Sequence, residues 1–440
     1  MLFLPIGLIG VIRWAIWLFK KAVGASYRPD RPDELTPSPV EVSVVTPVYN
    51  EDPETFALAL DSWLRDRPRE IIAVIDVSDR ACAKIFEDRA GTTSQVDLRL
   101  ISTSVEGKRP ALARGIEEAR GEILALVDSD TIWEPGVLPK LVAPFADPEV
   151  GGVTCRQRVY KPRTVADRLM DLMLDIRYED EMRFLGRIGQ GLSCLSGRTA
   201  VYRRSALVPI VPEMLNETFW GRSVMSGEDK RLTYLLQSRG HRTRYQSSAI
   251  VYTSGPGSLI TLVKQRIRWT RNSWRADLRA LSQSWLWKRR PMLALYLVDR
   301  IISSFTVLIS PMIVALAIYL EAWFVAGAVP LWWLGTRAIK AAPYLRSRPL
   351  HFWMVPVYVL ASFGVGPHQD ICPDDPQHPR MADPRPRDGQ PASFAPYSTG
   401  RLGFRADRGC PLRAGAWCGR LCQSVLAFQR DVKVRDSVGE

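Results

Sequence analysis

The sequence predicts an α/β domain built on a parallel-rich sheet and flanked by transmembrane α-helices. Three observations lead there: short β-branched runs alternate with amphipathic segments from Val40 onward, polar residues gather where those runs end, and the long apolar stretches fall outside this region. The 440 residues are 46% hydrophobic and carry 59 Lys+Arg against 46 Asp+Glu, a formal charge of +13. That length and apolar content exclude a disordered chain or a small disulfide-stapled one.

The first run, VEVSVV at 40–45, leads to a helix begun by Asp52-Pro53. EIIAVID at 70–76 precedes a helix through 81–86, VDLRLIS at 96–102 precedes one over 109–119, and EILALVD at 122–128 closes the series. Apolar strands separated by helices imply a parallel sheet covered on both faces. Ligands of such sheets bind beyond the carboxyl ends of the strands, and those ends carry Asn50 and Glu51, Asp76 and Asp79, Lys108, and Asp128 with Asp130. Carboxylates beside basic groups suit a diphosphate carried with a divalent ion, because the metal takes oxygen ligands and the phosphates need positive charge. Each residue alone has another reading: a helix N-cap before 131–136 for Asp128-Ser129-Asp130, a solvated surface lysine for Lys108, a turn residue for Asp76.

Further on, Ser226-Gly227-Glu228-Asp229-Lys230-Arg231 precedes the amphipathic run LTYLLQSRG, where an acidic pair serves either as a cap or in chemistry. Gln265-Arg266-Ile267-Arg268-Trp269 lies in a basic, aromatic helix that continues through Arg271 and Trp274, which also suits a membrane surface.

Residues 2–19 (LFLPIGLIGVIRWAIWLF) would span about 27 Å as a helix. Its positive charge follows the apolar run, unlike a secretory signal, and Arg13 leaves an interfacial helix as the alternative. Lys20, Lys21 and Arg28 place the next domain in the cytoplasm by the positive-inside rule. A second block, 291–366, has its most apolar stretches at 301–320, 324–334 and 352–365, which gives three more crossings and a multi-pass protein of the cell membrane. Arg337, Lys340, Arg346 and Arg348 suggest a cytoplasmic loop between the last two. The excess charge is therefore membrane-proximal, the lipid bilayer is the expected partner, and no nucleic acid is required. Seven Cys fit no disulfide framework, and the presence of only four His argues against a zinc site built on imidazoles.

Taken in order, TPVYNE, an isolated strand-end Asp, GKR, DSD, GEDKR and QRIRW lie between the apolar blocks. This ordered set resembles the processive family 2 glycosyltransferases, the group of hyaluronan, chitin-oligosaccharide and cellulose synthases and related capsular polysaccharide synthases. Each motif alone is unspecific, and the resemblance covers about residues 40–280. It implies a cytoplasmic GT-A-type, Rossmann-like domain over 40–285, after an N-terminal transmembrane helix at 1–24 and before interfacial and transmembrane helices at 286–366.

By the same resemblance Thr46, Pro47, Tyr49, Asn50, Glu51 and Asp76 would hold the uridine of a UDP-sugar donor and Lys108 its diphosphate. Asp128 would bind the nucleotide and, with Asp130, the cofactor Mg²⁺ or Mn²⁺. Asp229 would be the general base, with Glu228 in the same substrate-binding set. Gln265, Arg268 and Trp269 would bind the diphosphate and the carbohydrate acceptor, and CLSGRTAVYRR (194–204) would line the acceptor site. The family often has two adjacent acids after the second strand. Here the stretch reads Ile75-Asp76-Val77-Ser78-Asp79, which leaves open which acid touches the base.

The activity implied is inverting transfer of sugar to the growing end of a polysaccharide, with export through the enzyme's own helices. The alternatives are transfer of one sugar to a lipid acceptor, and an inactive truncated homologue. Truncation enters because residues 366–440 hold 9 of the 32 Pro and 4 of the 7 Cys without helical or strand period. Shifting GPHQDICPDDPQHPRMADP by one base permits PIKIYALMTLNTREWLTR, which resembles the membrane-proximal end of these synthases. The expectation is a frameshift near 363–366, with Cys418 and Cys422 as chance neighbours.

Overall fold

The computed structural model describes residues 4–31 and 41–365. The tail over 366–440, with its frameshift reading, lies outside them, as do 1–3 and 32–40.

After α1 (Leu4–Ala25) come β1 (Val42–Val48), α2 (Pro53–Arg65), β2 (Glu70–Asp76), α3 (Arg80–Thr92), β3 (Asp97–Thr103), α4 (Lys108–Glu118) and β4 (Ile123–Val127). The expected alternation is there, and local chemistry sets its boundaries. Asp52 caps α2 by accepting the Thr55 N–H, with Pro53 at the first helical position. Asp79 caps α3 through the Cys82 N–H.

β5 (Ile132–Trp133), α5 (Val137–Val142), β6 (Val150–Val159), α6 (Val165–Ile176), a π turn (Arg177–Met182) and α7 (Arg183–Ile188) follow. Next are β7 (Thr199–Arg203), α8 (Arg204–Leu207), α9 (Val211–Leu215), the hairpin β8 (Thr218–Phe219) and β9 (Arg222–Ser223), α10 (Glu228–Ser238) and β10 (Arg242–Thr253). The chain ends in α11 (Leu259–Leu281), α12 (Ser284–Arg289), α13 (Pro291–Tyr319), α14 (Trp323–Ser347) and α15 (Met354–Val365).

The main sheet has the order β3-β2-β1-β4-β7-β6-β10-β5. β1 pairs in parallel with β2 and β4, β2 with β3, and β6 with β10. β7 is antiparallel to β4 and β6, and β5 to β10. Val44 and Val45 enter different cores because successive side chains of β1 face opposite sides of the sheet. Strand order reverses beside β1: β2 lies on one side and β4 on the other, which opens a crevice at their carboxyl ends.

Two expectations are corrected. Residues 131–136 form no helix: β5 follows Asp130, and α5 starts after Gly136, so the N-cap reading of Asp128-Ser129-Asp130 fails. Arg337, Lys340 and Arg346 lie inside α14, not in a loop; its helix-forming run continues through Pro330 and Pro343. Lys20 and Lys21 are paired with Asp299 and Asp180.

Among the described residues, one helix, Pro291–Tyr319, is long and apolar enough to cross a membrane, and only 12% of its apolar window is buried in the protein. The multi-pass expectation therefore rests on less than the apolar stretches suggested: α15 has 12 residues, and α1 carries Arg13, Lys20 and Lys21. Cys82, Cys155 and Cys194 are buried and free.

Candidate active site

The crevice is built from strand ends. Thr46 lies in β1, fully buried, and its Oγ1 has no hydrogen-bond partner. Pro47 follows, and after Tyr49 the exposed Asn50 takes a left-handed φ of 46°, which turns the chain out of β1 toward α2; Asn tolerates that conformation better than most residues. Glu51 then reaches the end of β4: its Oε2 accepts the Ser129 hydroxyl at 2.7 Å, while its backbone N–H donates to Asp79 at 3.3 Å. Asp79 is thus committed to the α3 cap, and Asp76 accepts the Ser78 N–H and hydroxyl at 2.9 and 2.6 Å, as a turn residue does.

Lys108 is no free surface lysine. Its Nζ bridges Asp128 Oδ1 at 2.6 Å and Glu228 Oε1 at 2.7 Å. Burial disfavours the ammonium, but the two carboxylates outweigh it and hold the group above the usual lysine range. Gly197 leaves room for this contact: a Cβ there would stand 3.1 Å from Lys108 Nζ and 3.5 Å from Asp128 Oδ1. Lys108, Asp128, Gly197, Tyr202, Glu228 and Asp229 surround one small cavity, although they come from four separated stretches of chain.

Asp229 sits in the first turn of α10, accepting the Lys230 N–H at 2.7 Å and the Cys194 thiol at 3.4 Å. Burial and then the neighbouring Glu228 charge push its carboxyl up, with Lys108 opposing. Burial would raise Glu228 as well, but its direct pairing with Lys108 leaves it below the ordinary range. Two adjacent acids are driven apart in this way, which suits one to take up a proton.

Asp130 Oδ2 accepts the Thr253 hydroxyl of β10 at 2.9 Å. Burial and the charge of Asp128 raise its carboxyl, and burial and Asp130 raise Glu51. Carboxylates that repel each other at a strand end fit a cation. Among the described residues no three His, Cys, Asp or Glu side chains form a closed metal cage, so the fit is to an ion held by Asp128 and Asp130 that completes its shell with donor phosphates.

Gln265, Arg268 and Trp269 lie on α11. Gln265 Oε1 is buried without a hydrogen-bond partner, and Arg268 is exposed. None of the three lines the small cavity; their link to it is Arg198, next to Gly197, whose guanidinium packs over the Trp269 ring at 5.2 Å and donates to Gln157 at 2.8 Å. Thr46, Asp76 and Asp130 also stand outside that lining. Sequence reasoning missed Thr253 and Gln157, which no motif marks, and gave Ser129, inside the DSD motif, no role of its own. Cys194, Gly197 and Arg198 were inside the 194–204 segment but not singled out.

This chain is similar to an N-acetylglucosaminyltransferase of Azorhizobium caulinodans, 32% identical over 252 residues, covering 56% of this chain and 62% of that protein. An N-acetylglucosaminyltransferase of Bradyrhizobium diazoefficiens is 31% identical over 327 residues, covering 71% of this chain and 64% of its own length. The chain therefore spans somewhat under two thirds of these relatives. A solved mannosyltransferase from Pyrobaculum calidifontis, in complex with GDP-Man and Mn²⁺, shares the fold with a TM-score of 0.52 at 21% identity, over 81% of this chain and 96% of that one. A family model described as glycosyltransferase like family 2 matches residues 38–272, the stretch that holds the whole crevice, and the chain belongs to that family.

Proposed function

We propose that this protein is an inverting, metal-dependent glycosyltransferase that passes N-acetylglucosamine from UDP-N-acetylglucosamine to the growing end of a polysaccharide at a membrane. The observation that carries the reading is the convergence of Lys108, Asp128, Glu228 and Asp229 on one cavity at the switch point of the sheet. The names of the rhizobial relatives support the sugar.

An acceptor hydroxyl is a poor nucleophile, so a carboxylate within hydrogen-bond reach takes its proton as the oxygen attacks the anomeric carbon. In this reading Asp229 takes that role, and its raised carboxyl supports it as a better base than an exposed aspartate. The new glycosidic bond forms as the bond to the diphosphate breaks, UDP leaves, and one displacement inverts the anomeric carbon. Lys108 and Arg268 offset the charge gained by the leaving group. A Mg²⁺ or Mn²⁺ ion held by Asp128 and Asp130 would supply further positive charge to the diphosphate. Glu51, Asn50 and Asp76 border the side where the uracil would lie, and Trp269 offers a flat ring to an acceptor sugar.

The membrane part of the reading rests on α13 and on what α1 does beside it. Arg13 and Lys20 of α1 both pair with Asp299 of α13, Arg13 also bonds Ser303, and Lys21 and the Trp17 indole bond Asp180 at 2.6 and 2.9 Å. Charges in α1 that would oppose burial in lipid are thereby matched inside the protein.

The test is UDP release from a panel of UDP-sugars by purified membranes, together with the length of the product. UDP-N-acetylglucosamine turnover is expected, and it should vanish in Asp229→Asn while donor binding persists. Full turnover by Asp229→Asn would remove the base assignment; no UDP release from any UDP-sugar would remove the reading itself.

A further inference from the structure

Away from the donor crevice, the region behind the β8–β9 hairpin holds an imbalance of buried charge. Glu217 is only 3% exposed and faces Arg109 at 2.7 Å, Arg279 at 3.2 Å and Arg231 at 3.8 Å. Glu213 is paired with Arg239. Arg275 finds no acid at all in its hydrogen bonds, donating to the Ser226 carbonyl at 2.7 Å and the Asn272 side chain at 3.0 Å. Five guanidinium groups thus share two carboxylates. Arg231 Nε is buried with no hydrogen-bond partner. Burial, and the like charges of Arg279 and Arg109, hold Arg231 below the ordinary arginine range despite Glu217.

Surplus positive charge that is partly withdrawn from water favours an anion that offsets it. A cavity of about 360 Å³ opens at this place, lined by Arg231, Arg279, Glu213, Glu217, Tyr234 and Trp285 among others, a volume in the range of small-ligand sites. Glu217 is met from behind by Arg109, and Glu213 at the rim by Arg239, so Arg231 and Arg279, which share Glu217 between them while Arg279 also donates to the Thr218 carbonyl, are the charges with which a ligand would pair. Beyond Trp285, α12 exposes Trp287 and ends in Lys288-Arg289, immediately before the apolar α13. Tryptophan with lysine and arginine at such a position is the pattern of the headgroup layer.

We propose that this cavity is a second ligand site, which takes a phosphate group through Arg231 and Arg279: the phosphodiester of an anionic lipid headgroup, or a soluble phosphate. The site shares no residue with the donor crevice, and the proposal stands whether or not the donor reading holds.

The full chain, purified in detergent, is exposed to phosphatidylglycerol or phosphatidylcholine and the lipid retained is counted by native mass spectrometry. In a separate arm inorganic phosphate is titrated at constant ionic strength and thermal unfolding is followed. Preferential retention of phosphatidylglycerol supports the site with the lipid as source; stabilisation by inorganic phosphate without lipid preference supports it with the soluble source. In either arm Arg231→Gln with Arg279→Gln should weaken binding about tenfold or more, since hydrogen bonds to a charged partner are lost. Glu213→Gln, which removes a negative group from the rim, should strengthen it, and this variant decides if the double one does not fold. Binding unchanged in the double variant, binding weakened by Glu213→Gln, or no response to any of the three probes overturns the proposal.

Discussion

Lys108 bridges Asp128 and Glu228, and a donor's phosphates would compete with these carboxylates for its ammonium. Lys108→Met leaves two partly buried carboxylates facing each other, so the loss should appear in donor binding: the dissociation constant for UDP-N-acetylglucosamine, measured by calorimetry, is expected to rise about tenfold or more. An unchanged constant would detach Lys108 from the diphosphate. A second residue-scale case is Glu70 at the start of β2, away from the crevice. Burial raises its carboxyl, but the Ser43 hydroxyl at 2.6 Å, the Arg120 N–H at 2.7 Å and Arg99 at 3.2 Å bring it below the ordinary 4.5. A depressed carboxylate contributes stability that is present above its unfolded value and lost as the pH falls through its folded value. Glu70→Gln should therefore cost about 2 kcal/mol at neutral pH, and denaturant melts should show the difference shrinking once the pH drops below 4.5. Residues such as Lys108 and Asp229 were legible because they stand in motifs of fixed order. Thr253 was not, because a hydroxyl that orients a carboxylate can come from any strand that happens to pass, and Thr253 lies 123 positions from the Asp130 it bonds.

At the scale of elements, β2 was readable to the residue because EIIAVID is uniformly apolar between an acid at each end, whereas the helix ends of the C-terminal part were not. Alternating apolar and basic residues over 324–347 looked like a crossing followed by a loop, yet α14 runs through both, since Ala, Leu, Arg and Lys sustain a helix whatever medium it meets. The pairing of α1 with α13 was equally hidden: Arg13 and Lys20 are a turn or two apart on one helix, and their common partner Asp299 is 279 positions from Lys20. That pairing yields an element-scale prediction. Asp299→Asn leaves two cations without their carboxylate in a largely apolar setting and should cost about 3 kcal/mol or more. Replacing Arg13, Lys20 and Asp299 together by Met, Met and Leu removes charge and counter-charge alike and should cost much less. Thermal unfolding of the detergent-purified variants distinguishes the cases, and equal losses would mean that the ion pairs do not hold α1 in place.

For the molecule as a whole, the parallel half of the sheet followed from the βαβ rhythm of residues 42–127, but the other half did not, because β7, β6 and β10 join it through pairings remote in sequence, β7 against β4 among them. Those remote strands are what close the crevice: β10 brings Thr253 to Asp130, and the segment before β7 brings Gly197 and Arg198 between Lys108 and Trp269. Donor and ion would then bind only where both halves are assembled, so their binding should stabilise the fold. A ligand that binds the native state alone at about a hundred times its dissociation constant adds about 2.7 kcal/mol, which for a domain of this size raises the melting temperature by several degrees. UDP-N-acetylglucosamine should give part of that rise with chelator present and more with Mn²⁺. On the proposed reading Asp130 belongs to the ion's set and not to the uridine's, so Asp130→Asn should keep the metal-independent part and lose the increment. If Mn²⁺ adds as many degrees to Asp130→Asn as to the unaltered chain, the ion does not sit on this strand end, and the carboxyls of Glu51 and Asp130, raised by burial and by neighbouring acids, are not waiting for a cation.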